Sequence, residues 1–140
     1  KSDWAVPEVL LVKRADNGQW TPVTGIADPG EEAHDCAVRE VAEETGLVVR
    51  PAAIIGVGSV GPVTHTNGDL ASYMTVQLRM EPVDPQAQPV VGDDESSDVG
   101  WFPISQMPVT DPKWRLVIGD AAAQRRHPEG FAPRMGLAKR

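Results

Sequence analysis

The chain has 140 residues, 41% of them hydrophobic and 24% charged, and a formal net charge of −7. That length and composition suit one globular domain, residues 1–140, with a real core, and exclude a disordered or low-complexity chain. The negative balance argues against a nucleic-acid backbone as the main partner, which would want a basic stripe, but leaves room for a small anionic ligand reached through a metal.

Residues 1 to 7, with Trp4, Ala5 and Val6, read as an edge-strand remnant or an ordered arm. The first residue is Lys1 rather than Met, compatible with the loss of part of a natural N-terminus. Val9 to Val12 form a continuous apolar run, the pattern of a strand buried on both faces. Asp16, Asn17 and Gly18 then signal a turn, so the chain should reverse before Trp20. Thr21 to Gly30 carries two prolines and two glycines and reads as a loop feeding a helix.

That helix is expected to start near Glu31 or Glu32 and run to about Thr45, stopped by Gly46 as a left-handed cap. Ala33, Cys36, Ala37 and Val41 give it a narrow face of small side chains suited to packing on a sheet. Cys36 is the single cysteine and falls on that packing face. With no internal disulfide, no signal-peptide pattern and no apolar run of about 18 residues, the expected compartment is a reducing cytoplasm, with no membrane partner.

Glu40, Glu43 and Glu44 fall at i, i+3 and i+4 and crowd three carboxylates onto one face. Each like-charged pair at this spacing costs roughly 0.2–0.5 kcal/mol on an isolated helix, so something outside the helix should offset them. A divalent cation would, since Mg²⁺ takes oxygen ligands and is commonly shared between a few carboxylates and substrate phosphates.

Leu47 to Val49 and Ile54 to Val60 read as two strands with Pro51 between them, weakened by Gly56, Gly58 and Gly61 at bulges or at a ligand's approach. Thr64 to Asp69 is polar, with a hairpin signal at Asn67 and Gly68. Ser72 to Met80 reads as a partly exposed strand, and Glu81 to Pro89, with three prolines, as a loop. Gly92, Asp93, Asp94 and Glu95 form an acidic loop before a short strand around Val99, Trp101 and Phe102. A last helix, about 111–127, should begin with Asp111 as cap and Pro112 in its first turn, bury Trp114, Val117, Ile118 and Ala121, and end at Pro128 and Gly130. The basic tail 131–140 is expected to be loose.

Written as a pattern, Gly25 to Leu47 is Gly, five residues, Glu31, seven residues, Arg39, Glu40, Val41, one residue, Glu43, Glu44, one residue, Gly46, Leu47. It resembles the Nudix box at every fixed position, and a chance match in a chain of this length is on the order of one in a million at average residue frequencies. The resemblance is to the Nudix hydrolase family, whose members include MutT-like and ADP-ribose pyrophosphatase-like nucleotide pyrophosphohydrolases. It implies an α/β (α+β) Nudix fold, a mixed sheet sandwiched between helices, with the box as a loop-helix-loop that binds Mg²⁺ or Mn²⁺. The implied reaction is hydrolysis of a phosphoanhydride in a nucleoside diphosphate linked to another group, with ADP-ribose-like compounds ahead of (d)NTPs. A nucleotide-binding sensor that has lost catalysis is the alternative. An isoprenoid diphosphate isomerase shares the fold but wants a reactive cysteine in the pocket, where Cys36 is not expected.

By position, Glu40, Glu43 and Glu44 are similar to the family's metal ligands, with Glu40 also a base, and Arg39 with Glu31 to the pair that orients them. Glu95 is the choice for a further metal or water contact, against the plainer reading of a solvated acidic loop. The family usually enters the box through Trp, two residues, then Pro-Gly-Gly, whereas here Val23 and Thr24 precede Gly25. Thr24 would still offer a backbone carbonyl to the metal, but a β-branched residue tolerates positive φ poorly, so the loop is expected to differ in shape.

Several residues keep two readings. Trp20 either stacks on a base or fills the edge of the core, and His65 either contacts a phosphate or is solvated. Asn67, Gly68 and Asp69 resemble a segment of Nudix proteins that accept sugar-linked nucleotides, although a hairpin turn explains the same letters. Tyr73, the only tyrosine, is a candidate pocket edge that nothing in its spacing supports. The expected partner is a small nucleotide and not a nucleic acid, and a homodimer is an assembly the resemblance allows.

Overall fold

Alternation along the first strand sets the layers of the molecule, whose computed structural model describes residues 6–136. Strand β1 (Glu8–Arg14) runs antiparallel to β2 (Trp20–Thr21) on one side and to β5 (Ser96–Pro103) on the other. Leu11, fully buried, packs with Val109 and Ile118 and with Val9, Trp20, Phe102 and Trp114, on the side covered by α2 (Pro112–Arg126). Its neighbour Leu10 joins Val41, Leu47, Val49, Val38 and Trp101 on the side covered by α1 (Ala33–Thr45). Successive residues of a strand thus feed two cores, and burying a leucine in either contributes about 1.5–3 kcal/mol. The Val9 to Val12 run is apolar on both faces because both faces are covered.

A second sheet is built on a long hairpin, β3 (Val49–Thr64) with β4 (Leu70–Pro82), and β6 (Arg134–Met135) lies parallel to β3 on its other edge. The turn at Asn67 and Gly68 closes this hairpin as expected, with Gly68 at φ 90°. The mixed strands between α1 and α2 give the sandwich that the sequence led us to expect. Among the described residues no helix is long and apolar enough to cross a membrane.

Three features differ from the expectation. β3 is one strand rather than two, because Pro51 is absorbed at a register shift between Pro51 and Ala53, with further shifts at Ile54/Gly56 and Val60/Val63. Pro51 itself pairs with Met80 and the residue left out is Ala52, so the proline stands beside a bulge, where a strand tolerates it. Glu81 and Pro82 belong to β4, paired with Arg50 and Val49, and not to the following loop. Ala33 is exposed rather than part of the packing face of α1, which is carried by Cys36, Val38 and Val41.

The tail is not loose where it is described. Arg134 forms a two-pronged ion pair with Asp120 of α2 at 2.7 and 3.1 Å, and the Gly136 N–H donates to the Val57 carbonyl. A two-residue strand gives almost no sequence signal, since its pairing comes from β3. Residues 137–140, like Trp4 and Ala5 of the expected N-terminal arm, lie outside the described residues.

Candidate active site

Helix α1 carries the carboxylates, and both of its ends are built by nearby glycines. At its start Glu32 holds the N-cap position without a side-chain cap bond, and Gly30 turns the chain at φ 81°. At its end Gly46 adopts the left-handed conformation, φ 74°, and its N–H donates to the Ala42 carbonyl. Gly92 does something the sequence did not announce. Its N–H donates to the Glu44 carbonyl at 3.0 Å, next to Val90 N–H on the Thr45 carbonyl at 2.9 Å, so the loop from 83 to 95 caps the helix. A Cβ at Gly92 would overlap the Glu43 carbonyl, so only glycine permits this approach. The Trp101 indole N–H, donating to the Ala87 carbonyl at 3.2 Å, ties the same loop to β5.

This docking brings Asp93 and Glu95 to Glu44, and carboxylate oxygens of the three lie within 4.8 Å of one another. Glu44 is buried, with 6% of its surface exposed, and its Oε2 has no hydrogen-bond partner. Burial raises its pKa to about 7, and the charges of Glu40, Asp93 and Glu95 add to the rise. Among the described residues this is the one group of acidic side chains spaced to hold an ion. A buried carboxylate oxygen without a donor, facing two more carboxylates, fits a hard divalent cation, which takes oxygen ligands. The chemistry of the donor set therefore fits Mg²⁺ or Mn²⁺.

Arg39 organises the opposite side of the helix. Its Nε and Nη2 donate to the two oxygens of Glu31 at 2.9 and 2.8 Å, and its Nη1 to Glu40 Oε1 at 2.8 Å. Nη1 also reaches Glu43 Oε2 at 3.4 Å, and Nη2 the Ile26 carbonyl at 3.3 Å. The fork holds the Glu31 carboxyl down to about 2 and raises the guanidinium. Gly25 completes the arrangement, because a Cβ there would overlap the Glu40 side chain. The fixed glycine of the motif makes room for a carboxylate.

The structure therefore divides the predicted set. Glu44 meets Glu95, and Asp93 joins them. Glu40 stands between that group and Arg39, while Glu43, about half exposed, stays on Arg39. Asp93 was visible only as part of an acidic run; the signal that would have selected it is the Asx turn its carboxylate makes with the Glu95 N–H at 3.0 Å. Thr24 lines a cleft of about 450 Å³ with Glu44, Glu95, Thr21 and Arg14. No non-glycine residue among those described has positive φ, so Thr24 enters the box without the anticipated strain, and Val23 packs into the core beneath α1.

Trp20 and His65 lie elsewhere. The Trp20 ring packs edge-on to Phe102, centroids 4.9 Å apart, in the core under α2. His65 sits at the tip of the β3–β4 hairpin with its Nε2 2.6 Å from the Tyr73 hydroxyl. Cys36 is buried on α1, its thiol raised mainly by desolvation, and makes only a long 3.7 Å contact from Arg39 Nη2.

Known proteins resemble this chain in sequence and in fold. A curated relative, the NAD-capped RNA hydrolase NudC of Pseudomonas putida, is 33% identical over 105 residues, which make up 72% of this chain and 34% of that protein. The chain thus spans about a third of the length of the curated relatives it matches. The crystal structure of a NUDIX hydrolase from Nitrosomonas europaea superposes with a TM-score of 0.67 at 24% identity, covering 96% of this chain and 72% of that one. The NUDIX domain of Shewanella oneidensis NrtR, complexed with ADP ribose, has a TM-score of 0.54 at 25% identity and covers 84% of this chain and 77% of that one. The NUDIX domain family model matches residues 5–123, and the chain belongs to that family.

Proposed function

We propose that this chain hydrolyses a phosphoanhydride bond in a nucleoside diphosphate linked to a second group, with Mg²⁺ or Mn²⁺ as cofactor. The observation that carries the reading is the buried Glu44 carboxylate, its Oε2 unpartnered, grouped with Asp93 and Glu95 at the wall of the cleft. Glu44, Asp93 and Glu95, with Glu40 and the carbonyl of Thr24, which lines the same cleft, would hold the metal. Glu43, which Arg39 reaches at 3.4 Å, is a further candidate ligand. When bound, the metal neutralises charge developing at phosphorus and lowers the pKa of a bound water.

The remaining work falls to the chain. Arg39 fixes Glu40 through Oε1 and leaves Oε2 on the Gly25 side, so Glu40 can take the proton of the attacking water at that atom. Glu95 is the second candidate for this step, on a loop held to α1 by Gly92. The water oxygen bonds to phosphorus, the bridging P–O bond breaks, and its electron pair leaves with the departing phosphate. Glu31 takes no proton; its role is to fix the plane of the Arg39 guanidinium.

ADP-ribose-like compounds stand ahead of (d)NTPs as substrates. One relative is named for NAD-capped RNA and one structural neighbour is complexed with ADP ribose, and both ligands contain an adenosine diphosphate. A second reading is a domain that binds such a nucleotide without cleaving it, and the complex of the NrtR domain with ADP ribose is an example of the binding alone. A panel of ADP-ribose, NADH and (d)NTPs incubated with Mg²⁺ or Mn²⁺, with products separated, tests both. The hydrolase reading expects a nucleoside monophosphate from at least one compound only when metal is present. Metal-dependent binding with no product would replace it by the sensor reading.

A further inference from the structure

We infer that Arg14 is the anion-recognition residue of this cleft and takes a phosphoryl group of the diphosphate beside the carboxylate cluster. The inference rests on the hydrolase reading for the identity of the anion, but its geometry is separate from the metal cluster. Arg14 ends β1, where the ladder with β5 slips: Lys13 pairs with Asp98 and Arg14 with Ser96, leaving Ser97 over. A bulge of this kind re-aims the side chain beside it. Val12 and Arg14, two residues apart on one strand, both line the cleft that holds Glu44 and Glu95.

Among the ten residues lining that cleft Arg14 is the one cation, against Asp16, Glu44, Asp94 and Glu95. A substrate carrying two adjacent phosphates would meet repulsion from every other charged side chain there, so its binding needs a positive group besides the metal. Arg14 is also prepared for the task. Asp16 takes its Nε–H and one Nη2–H at 3.0 and 2.7 Å, which fixes the guanidinium plane. The second Nη2–H and both Nη1–H donors make no hydrogen bond among the described residues. They form the fork geometry suited to phosphate oxygens.

The position of this fork relative to the cluster is fixed through the backbone, because the Ala15 N–H donates to the Glu95 carbonyl at 2.9 Å. Arg14 makes no hydrogen bond to Glu44 or Glu95, so it is not consumed as their counter-ion. As a stabilising device, the exposed Arg14–Asp16 pair has little to contribute. Asp16 is then a positioning residue for Arg14, as Glu31 is for Arg39.

The test uses Arg14→Gln, Arg14→Lys and Asp16→Asn. Binding of inorganic pyrophosphate in saturating Mg²⁺ is measured by calorimetry, binding of Mn²⁺ alone by titration, and kcat and KM on any nucleotide the wild type cleaves. Arg14→Gln should weaken pyrophosphate binding at least tenfold with Mn²⁺ affinity unchanged or tighter, and should raise KM more than it lowers kcat. Arg14→Lys keeps the charge without the fork and should fall between. Asp16→Asn frees the guanidinium and should lose about threefold, which also covers a poorly folding Arg14 variant.

Wild-type affinity for pyrophosphate in Arg14→Gln, or parallel loss of Mn²⁺ and pyrophosphate binding, overturns the inference, as does failure of the wild type to bind pyrophosphate with Mg²⁺. Arg14-dependent pyrophosphate binding without turnover of any nucleotide would sink the hydrolase reading and keep the anion site. Turnover with a KM indifferent to Arg14 would do the reverse.

Discussion

The two sides of α1 handle the same problem in opposite ways. On one, Glu31, Glu40 and Glu43 surround a single guanidinium, and each has an oxygen within 3.4 Å of Arg39. On the other, Glu44 meets Asp93 and Glu95 with no cation in hydrogen-bond reach. The first side has a cation of its own, shared among its carboxylates, and the Glu31 carboxyl is accordingly held to about 2. The second has none, and the Glu44 carboxyl is pushed up to about 7. The motif that reads as one row of glutamates is thus two devices, a rigid frame and an open cluster of carboxylates that we propose as the cation site. Glu40 touches both.

The largest test of this division is Glu44→Gln. It removes the buried charge that the metal would answer and leaves Arg39 and its partners in place. On the hydrolase reading turnover should fall by about a thousandfold or more while circular dichroism is unchanged. Unaltered turnover would remove Glu44 from the chemistry.

The same variant should be more stable than the wild type without metal, and only at higher pH. Because the folded-state pKa of Glu44 is raised, the folded protein keeps a proton that the unfolded chain releases. The stability carried by the neutral carboxyl is complete below about 4.5 and is lost as pH rises to about 7. The loss is bounded at about 3 kcal/mol. Melting curves of metal-free wild type and Glu44→Gln should therefore converge near pH 4.5 and separate toward pH 8, and saturating Mg²⁺ should stabilise the wild type far more than the variant. Curves that run parallel across this range would show that the Glu44 side is not under charge strain. The Arg39 side behaves oppositely. The Glu31 pair contributes above the ordinary carboxylate range and is lost as pH falls toward about 2.

Gly92→Ala attacks the open site without touching a carboxylate. Its Cβ would collide with backbone, so the loop must lift from the end of α1 and take Asp93 and Glu95 with it. Mn²⁺ affinity should fall about 10–100-fold, the scale seen when groups supporting a metal site are lost. Retained affinity would mean that the loop is not what assembles the site.

Much of the frame was legible in the sequence, and the reason is local. Glu31, Arg39, Glu40 and Glu43 lie within a loop and one helix, so helical spacing and a fixed loop length nearly determine their meeting. The helix ends were legible too, because Gly46 and Asp111 act on their own neighbours. The open site was only half legible. Glu95 was singled out and does reach Glu44, but Asp93 and Gly92 were not, because their meeting with α1 spans some fifty residues and depends on a glycine pressed against a carbonyl. β6 was missed for the same reason, being a strand only because β3 offers it an edge. The Thr24 departure looked like strain on letters alone. The backbone shows the loop reaching Gly25 without a positive φ at any other residue type.

Arg39→Lys should give the smallest of these effects, and it separates frame from site most finely. Lysine keeps a positive charge near Glu31, Glu40 and Glu43 but replaces the planar fork by a single point donor. It can satisfy one of these carboxylates well and not three. If Arg39 serves only to cancel charge, Arg39→Lys should be silent. If its role is to fix the Glu40 rotamer, kcat should drop about tenfold with KM and Mn²⁺ affinity nearly unchanged, because Glu44, Asp93 and Glu95 are held from elsewhere. Glu31→Gln should reproduce part of that loss, since an amide offers one acceptor where the guanidinium presents two donors. Adding it to Arg39→Lys should cost little more, as expected when two residues act through one contact. Equal loss of kcat and metal affinity in Arg39→Lys would instead join the two sides of the helix into a single device.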